Sequence, residues 1–235
     1  MELKVRFLYL RELSFLKSMK IILTGATGMI GEGILIECLN DPRITEILSV
    51  SRKGSGKTHP KLKEYIVPEF LDLTENDPKL AGYDACFFCA GVSSVGMDKA
   101  LYEKLTYDTT MAFAKALGNQ PQLSFVYVSG GGTDRSEKGR LHWARIKGKV
   151  ENDLLKMSFK TAFGFRIAIM IPAKGQQHVL KYYNYLGWMS PFIRTFFPNM
   201  ISTMQQVANA MIRVCSEGYA SDIIYVQDIR KLAKK

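Results

Sequence analysis

The stretch KIILTGATGMIGEGIL, Lys20 to Leu35, narrows the fold more than any other part of this chain. An apolar run of strand character leads directly into glycines spaced three apart, Gly25, Gly28 and Gly31, and the chain then continues with helical spacing. Strand, glycine turn and helix in that order make a cradle for phosphate. Gly25 permits a tight turn, Gly28 lets the backbone approach an anion, and Gly31 lets the helix pack closely on the strand. Thr27, Met29 and Ile30 complete the loop and the helix start, whose free amides face the anion. A second strand candidate follows about 20 residues later, which is the context of a dinucleotide pyrophosphate site.

Strand-length apolar runs continue to alternate with helical segments, the pattern of βαβ units around a parallel sheet. Strands are predicted at Lys20–Thr24, Glu46–Ser51, Lys63–Val67, Asp84–Cys89, Leu123–Val128 and Thr161–Ile169, and helices at Met29–Asn40, Lys99–Gly118, Leu141–Met157 and Thr203–Glu217. The fold class is therefore α/β, a doubly wound parallel sheet. At 235 residues, with no repeat and no low-complexity linker, residues 19–235 suit a single domain. Residues 1–18 read as an extension, either an over-long start or an amphipathic arm carrying Leu8, Leu13 and Leu16. Residues 175–200 break the rhythm with many aromatics and two prolines, and are expected to form a small lobe on the substrate side. Their aromatics either line a pocket or pack the lobe onto the body.

A net charge of +10 suits an anionic partner without choosing one. The positive residues are dispersed and no aromatic–basic stacking motif occurs, which argues against nucleic acid, and the terminal KLAKK reads as solvated lysines. Of the four cysteines at 38, 86, 89 and 215, the pair Cys86 and Cys89 has the spacing of a redox or zinc half-site. Three residues apart on a strand, however, they face opposite sides, and no second pair completes a metal site. Reduced cysteines imply a cytoplasmic protein. No apolar run reaches the roughly 20 residues of a membrane span, and the first 18 residues lack a signal-peptide core, so a soluble protein away from membranes is expected.

An NAD site usually carries Asp or Glu at the end of the second strand, where it accepts from the ribose hydroxyls. Here Ser49-Val50-Ser51 runs into Arg52 and Lys53. A guanidinium can fork onto a 2′-phosphate where a carboxylate would repel it, so NADP(H) is favoured over NAD(H). The alternative is two solvated charges.

TGATGxxG resembles the cofactor fingerprint of extended and atypical short-chain dehydrogenase/reductases, and the resemblance runs from Lys20 through at least Arg166. WARIKGKVE, Trp143–Glu151, is similar to the YLQVKGEVE-type segment of the atypical branch that includes HIV Tat-interacting protein and bacterial "NAD-dependent epimerase/dehydratase" relatives. The resemblance implies a Rossmann-type sheet with a short C-terminal lobe. It implies Asp72 and Leu73 beside the adenine, and Cys89-Ala90-Gly91 as the small-residue turn beside ribose and pyrophosphate. It also implies a homodimer through the helices at 99–118 and 141–157, and a sugar nucleotide or small carbonyl compound as substrate.

Chemistry in that superfamily uses a Tyr as proton donor, a Lys four residues later that lowers the Tyr pKa and holds the nicotinamide ribose, and a Ser that polarises the carbonyl. Lys147 matches the Lys, but Trp143 stands in the Tyr position, and an indole N–H does not titrate near neutrality. In VYVSGGGTD, Ser129 opens a stretch where relatives often carry a run of serines, Gly130 and Gly131 fall at the usual hydroxyl, and Ser129 or Thr133 is left to substitute or to serve as a turn residue. The relatives' Arg-Pro-Gly is here Arg166-Ile167-Ala168, with Pro172 later. His142, Tyr107, Asp98 and Asp108 form no recognisable constellation. Two functions remain open: an NADP-dependent oxidoreductase or epimerase-like enzyme with an unusual acid, and a non-catalytic NADPH-binding scaffold or redox-sensing regulator.

Overall fold

The computed structural model describes residues 18–179 and 200–234. The first half runs β1 (Met19–Thr24), α1 (Met29–Asn40), β2 (Ile44–Ser51), β3 (Leu62–Ile66) and β4 (Ala85–Phe88). Helix α2 (Lys99–Glu103) passes through a π-helical segment (Lys104–Asp108) into α3 (Thr109–Leu117). Then come β5 (Gln120–Gly130), α4 (His142–Leu154), β6 (Phe159–Ile167), β7 (Ile169–Ile171), β8 (Ile201–Thr203), α5 (Met204–Glu217), β9 (Ile223–Tyr225) and α6 (Val226–Lys234).

Seven strands form one sheet in the order β3-β2-β1-β4-β5-β6-β9, each neighbouring pair parallel. The chain starts in the middle and winds outward both ways, as the alternation predicts. The strands are apolar on both sides because both sides are covered. Ile21, Leu23, Phe87, Val126 and Phe165 face one core with Ile34 and Leu35 of α1 and Met211 of α5. Their neighbours Ile22, Cys86, Phe88, Phe125 and Tyr127 face the other, with Phe113 of α3 and Val150 of α4. Cys86 belongs to the second core and Cys89 packs against the first, on opposite faces as strand geometry requires.

The C-terminal quarter differs from expectation. The strand expected over Thr161–Ile169 ends at Ile167, and Ile169–Ile171 pairs instead with Ile201–Thr203 in a separate two-stranded parallel sheet. An apolar run does not reveal where its pairing partner changes. Residues 231–234 of the KLAKK tail belong to α6, where Val226, Ile229 and Leu232 are buried. A 3.6-residue spacing places those three on one face and leaves Lys231 and Lys234 outward. Short β9 went unseen because three residues carry no period. Residues 1–17 and most of the expected 175–200 lobe lie outside the described residues.

Candidate functional site

The winding reverses between β1 and β4, so the crevice beyond their carboxyl ends is where a doubly wound sheet takes its ligand. The glycine loop fills that place. Gly25 has φ +73°, and a Cβ there would lie 2.8 Å from the Cys89 and Ala90 backbone. At Gly31 a Cβ would sit 2.1 Å from the Gly25 carbonyl oxygen, so the helix leans on the loop itself rather than on the strand. Gly28 differs: its only close neighbour would be that same oxygen at 3.4 Å, which leaves its outer side open. The loop closes by a bond from Gly28 N–H to the Gly25 carbonyl (2.9 Å), and no side chain caps the helix amides. A cradle that a Cβ at Gly28 would intrude upon, at an uncapped helix start, fits a pyrophosphate.

A cleft of about 230 Å³ opens over this loop, lined by Gly25, Thr27 and Gly28, by Ser51 and Arg52 after β2, and by Cys89, Ala90 and Gly91 after β4. The Thr24 hydroxyl accepts from the Cys89 and Ala90 amides at 3.1 and 3.0 Å, joining the ends of β1 and β4. Met29 and Ile30 begin α1 and pack against the core. Arg52 and Lys53 are exposed, and only Arg52 of the two lines the cleft. After β3, the residues at the wall are Glu69 and Phe70; exposed Asp72 and half-buried Leu73 lie a turn further along a short 3-10 helix and do not line it. Opposite, the π-helical segment and the start of α3 bring in Leu105 and Thr109. Two of these, Glu69 and Phe70, had no signal in the sequence beyond following a strand.

At the other end, Lys147 donates to the Val128 carbonyl (3.3 Å) and its ammonium lies 5.4 Å from the centre of the Tyr127 ring. Burial pushes its pKa down to about 8, against the attraction of Glu151. Trp143 lies over the loop after β5: a Cβ on Gly130 would be 3.3 Å from its ring, and one on Gly132 would be 3.1 Å away. The Ser129 hydroxyl is buried and donates to Glu151 Oε1 at 2.6 Å, while Thr133 accepts from the Gly130 amide within its own turn. Tyr107 donates to Asp153 (2.7 Å); burial and that carboxylate push its pKa up to about 12. His142 rests edge-on against Tyr102. None of these supplies a free acid beside Lys147.

Glu151 collects much of this region. It accepts from Ser129, from Arg135 Nε (2.9 Å) and from Arg166 Nη2 (2.8 Å), and Arg135 continues to Asp222 (2.7 Å). A glycine makes room for it, since a Cβ on Gly164 would lie 2.5 Å from Glu151; Gly148 of α4 does the same for the loop backbone, where a Cβ would lie 1.9 Å from the Asp134 carbonyl oxygen. A second buried carboxylate, Glu32 in the first turn of α1, binds the amides of Gln177 and His178 at 3.0 and 2.6 Å and Lys57 at 3.2 Å. Burial opposes its charge, but those hydrogen bonds hold its pKa below the usual value. It thereby ties the segment after β7 to α1.

Among solved structures the chain superposes on WbmF from Bordetella bronchiseptica in complex with NAD+ and UDP, with TM-score 0.61 and 15% identity over 92% of this chain and 76% of that one. It also matches a short chain dehydrogenase family protein from Francisella tularensis, with TM-score 0.60 and 18% identity over 88% and 96%. These likenesses show a Rossmann-like α/β fold. L-sorbose reductase from Gluconobacter frateurii, complexed with NADPH and L-sorbose, shares this fold at TM-score 0.59, with 12% identity over 89% and 95% of the two chains. No family model matches the chain. By sequence it is similar to the mitochondrial protein FMP52 of Chaetomium globosum, 27% identical over 162 residues, or 67% of this chain and 68% of the relative. FMP52 of Debaryomyces hansenii is 22% identical over 207 residues, 85% and 88% of the two chains.

Six such relatives, all named mitochondrial, overturn the cytoplasmic placement read from the cysteines. Free thiols exclude only an oxidising compartment, so they never distinguished the cytoplasm from other reducing ones. All four cysteines are free, and burial raises each thiol, Cys215 to about 12. Among the described residues no cluster suits a metal, and no helix is long and apolar enough to cross a membrane.

Proposed function

We propose that the chain binds NADP(H) along the carboxyl edge of its sheet and works as an oxidoreductase or epimerase-like enzyme on a small carbonyl compound or sugar nucleotide. The observation that carries this reading is the glycine cradle, closed at Gly25 and Gly31 and open at Gly28. Arg52, exposed at the cleft with no ion-pair partner among the described residues, supports the 2′-phosphate, although Glu69 shares that wall. Bound there, the cofactor supplies hydride chemistry. Lys147 is the group assigned to its nicotinamide ribose, and Ser129, committed to Glu151, is assigned to positioning.

A second reading, a cofactor-holding regulator without turnover, is favoured by Trp143 covering the place of the acid. Titration calorimetry with NADPH and NADH in parallel, followed by a carbonyl panel read at the nicotinamide absorbance, separates the two. NADPH binding with turnover supports the enzyme, binding without turnover supports the regulator, and no nucleotide binding overturns both.

Placement in the Tat-interacting branch rests on Trp143–Glu151 alone. A homodimer through α2, α3 and α4 is supported by Leu101, Leu141 and Leu155, exposed by 47%, 56% and 43% on those elements and at their ends. The names of the sequence relatives point to the mitochondrion for this chain too, which fractionation of a tagged copy tests.

A further inference from the structure

Beyond the nucleotide cleft, the same edge of the sheet carries a second cavity, about 360 Å³, at the ends of β6 and β9. We propose that it binds a small carboxylic acid, with the carboxylate on Arg166. Its position follows from strand order. A dinucleotide laid from Arg52 after β2, across β1 and β4, to Lys147 beside β5 spans three strand spacings, roughly 14 Å. The next strand along that line is β6. Gly131, between the two glycines that lie under Trp143, forms the cavity's near wall.

The chemistry of the wall selects the ligand. Arg166 is 7% exposed and lines the cavity. Of the five N–H groups of its guanidinium, two go to Glu151 and one goes from Nη1 to the Tyr225 hydroxyl (3.0 Å), which leaves one on each terminal nitrogen. A planar pair of donors is what a carboxylate takes in bidentate fashion. The charge of Arg166 is answered by Glu151, while Arg135, the other guanidinium on that carboxylate, is paired with Asp222 as well, so what Arg166 offers a ligand is its two remaining N–H groups. Tyr225 accepts from Arg166 and keeps its own O–H proton to donate. The first turn of α6, through Val226 and Gln227, turns its positive end to the same space. Among the described residues no acidic side chain lines the cavity: Asp228, nearest in sequence, is held by the Tyr225 amide and the Tyr219 hydroxyl at 3.0 and 2.9 Å. Ala168 and Met200 leave room for a short apolar body.

As the substrate end of the nucleotide line this assignment rests on the proposed function; as a binding site it does not. The test is calorimetry of the full chain with pyruvate and succinate against the neutral pyruvamide, with NADPH titrated separately. The acids are expected to bind at millimolar concentration or below and the amide not to. Arg166→Lys removes the fork but disturbs a buried ion pair, so Gln227→Glu, on an exposed position, is the second variant. It places a negative charge at the wall and is expected to weaken acid binding about tenfold while leaving NADPH binding unchanged. Absence of acid binding, equal binding of pyruvate and pyruvamide, or an unaffected Gln227→Glu variant overturns the proposal. NADPH binding that persists in those cases leaves the nucleotide reading standing, and acid binding without nucleotide binding overturns that reading instead.

Discussion

Trp143 and Gly130 are a matched pair: the indole lies where a Cβ at position 130 would come within 3.3 Å of it. In the superfamily that the sequence resembles these positions would carry a Tyr and a Ser; here a larger ring stands on one side and a bare backbone on the other. A Trp143→Tyr chain gains an acid four residues before Lys147 but still lacks a hydroxyl at 130. Measurable NADPH-dependent carbonyl reduction is expected from Trp143→Tyr with Gly130→Ser, and less from Trp143→Tyr alone. Silence in both, with NADPH still bound, favours the regulatory reading.

The phosphate loop separates stability from binding. Gly31→Ala puts a methyl 2.1 Å from a carbonyl oxygen and is expected to lower the melting temperature sharply. Gly28→Ala meets only one atom, at 3.4 Å, and is expected to melt near the wild type while losing at least about tenfold in dinucleotide affinity. Equal loss of stability in both variants argues against an anion cradle.

Arg52→Glu is expected to weaken NADPH much more than NADH, because the new carboxylate repels only the 2′-phosphate. Calorimetry with the two nucleotides reads the ratio, and equal losses remove Arg52 from that role.

Lys147 has a pKa near 8 in the folded chain against 10.5 when free, so the unfolded state holds the extra proton between those values. Stability contributed by this site rises with pH across that window. Lys147→Met is therefore expected to raise the melting temperature at pH 7, with the gain shrinking from pH 8 to 10.5. A constant increment places the ammonium in solvent.

Ser129→Ala removes one hydrogen bond to a buried carboxylate and is expected to cost about 1–3 kcal/mol of stability. Glu151→Gln leaves two guanidiniums without their shared charge and is expected to cost about 3–5 kcal/mol. Chemical denaturation measures both. A Ser129→Ala chain of unchanged stability that loses activity returns Ser129 to a direct catalytic role.

Much of the architecture was legible in the residues because it is local. Strand–glycine–helix order, apolar runs buried on both faces and Gly218 after a helix each act within a few positions, and they placed β1, β3, β4, α1 and α5 to within a residue and β2, β5 and β6 to within three. The tail shows the limit: Val226, Ile229 and Leu232 have helical spacing, yet no helix is expected there and the terminal KLAKK reads as solvated lysines until the rest of the chain provides something to pack against.

The sequence by itself determined the glycine loop, since the lack of a Cβ is a property of single residues, and it determined that Trp rather than Tyr stands four residues before Lys147. Only the tertiary structure decided what surrounds them. It put Glu69 and Phe70 at the cleft, gave Ser129 to Glu151, laid Trp143 on Gly130, and brought Arg166 to Tyr225 across 59 positions. Those contacts depend on which strands become neighbours and how far each side chain reaches, and no spacing along the chain encodes either.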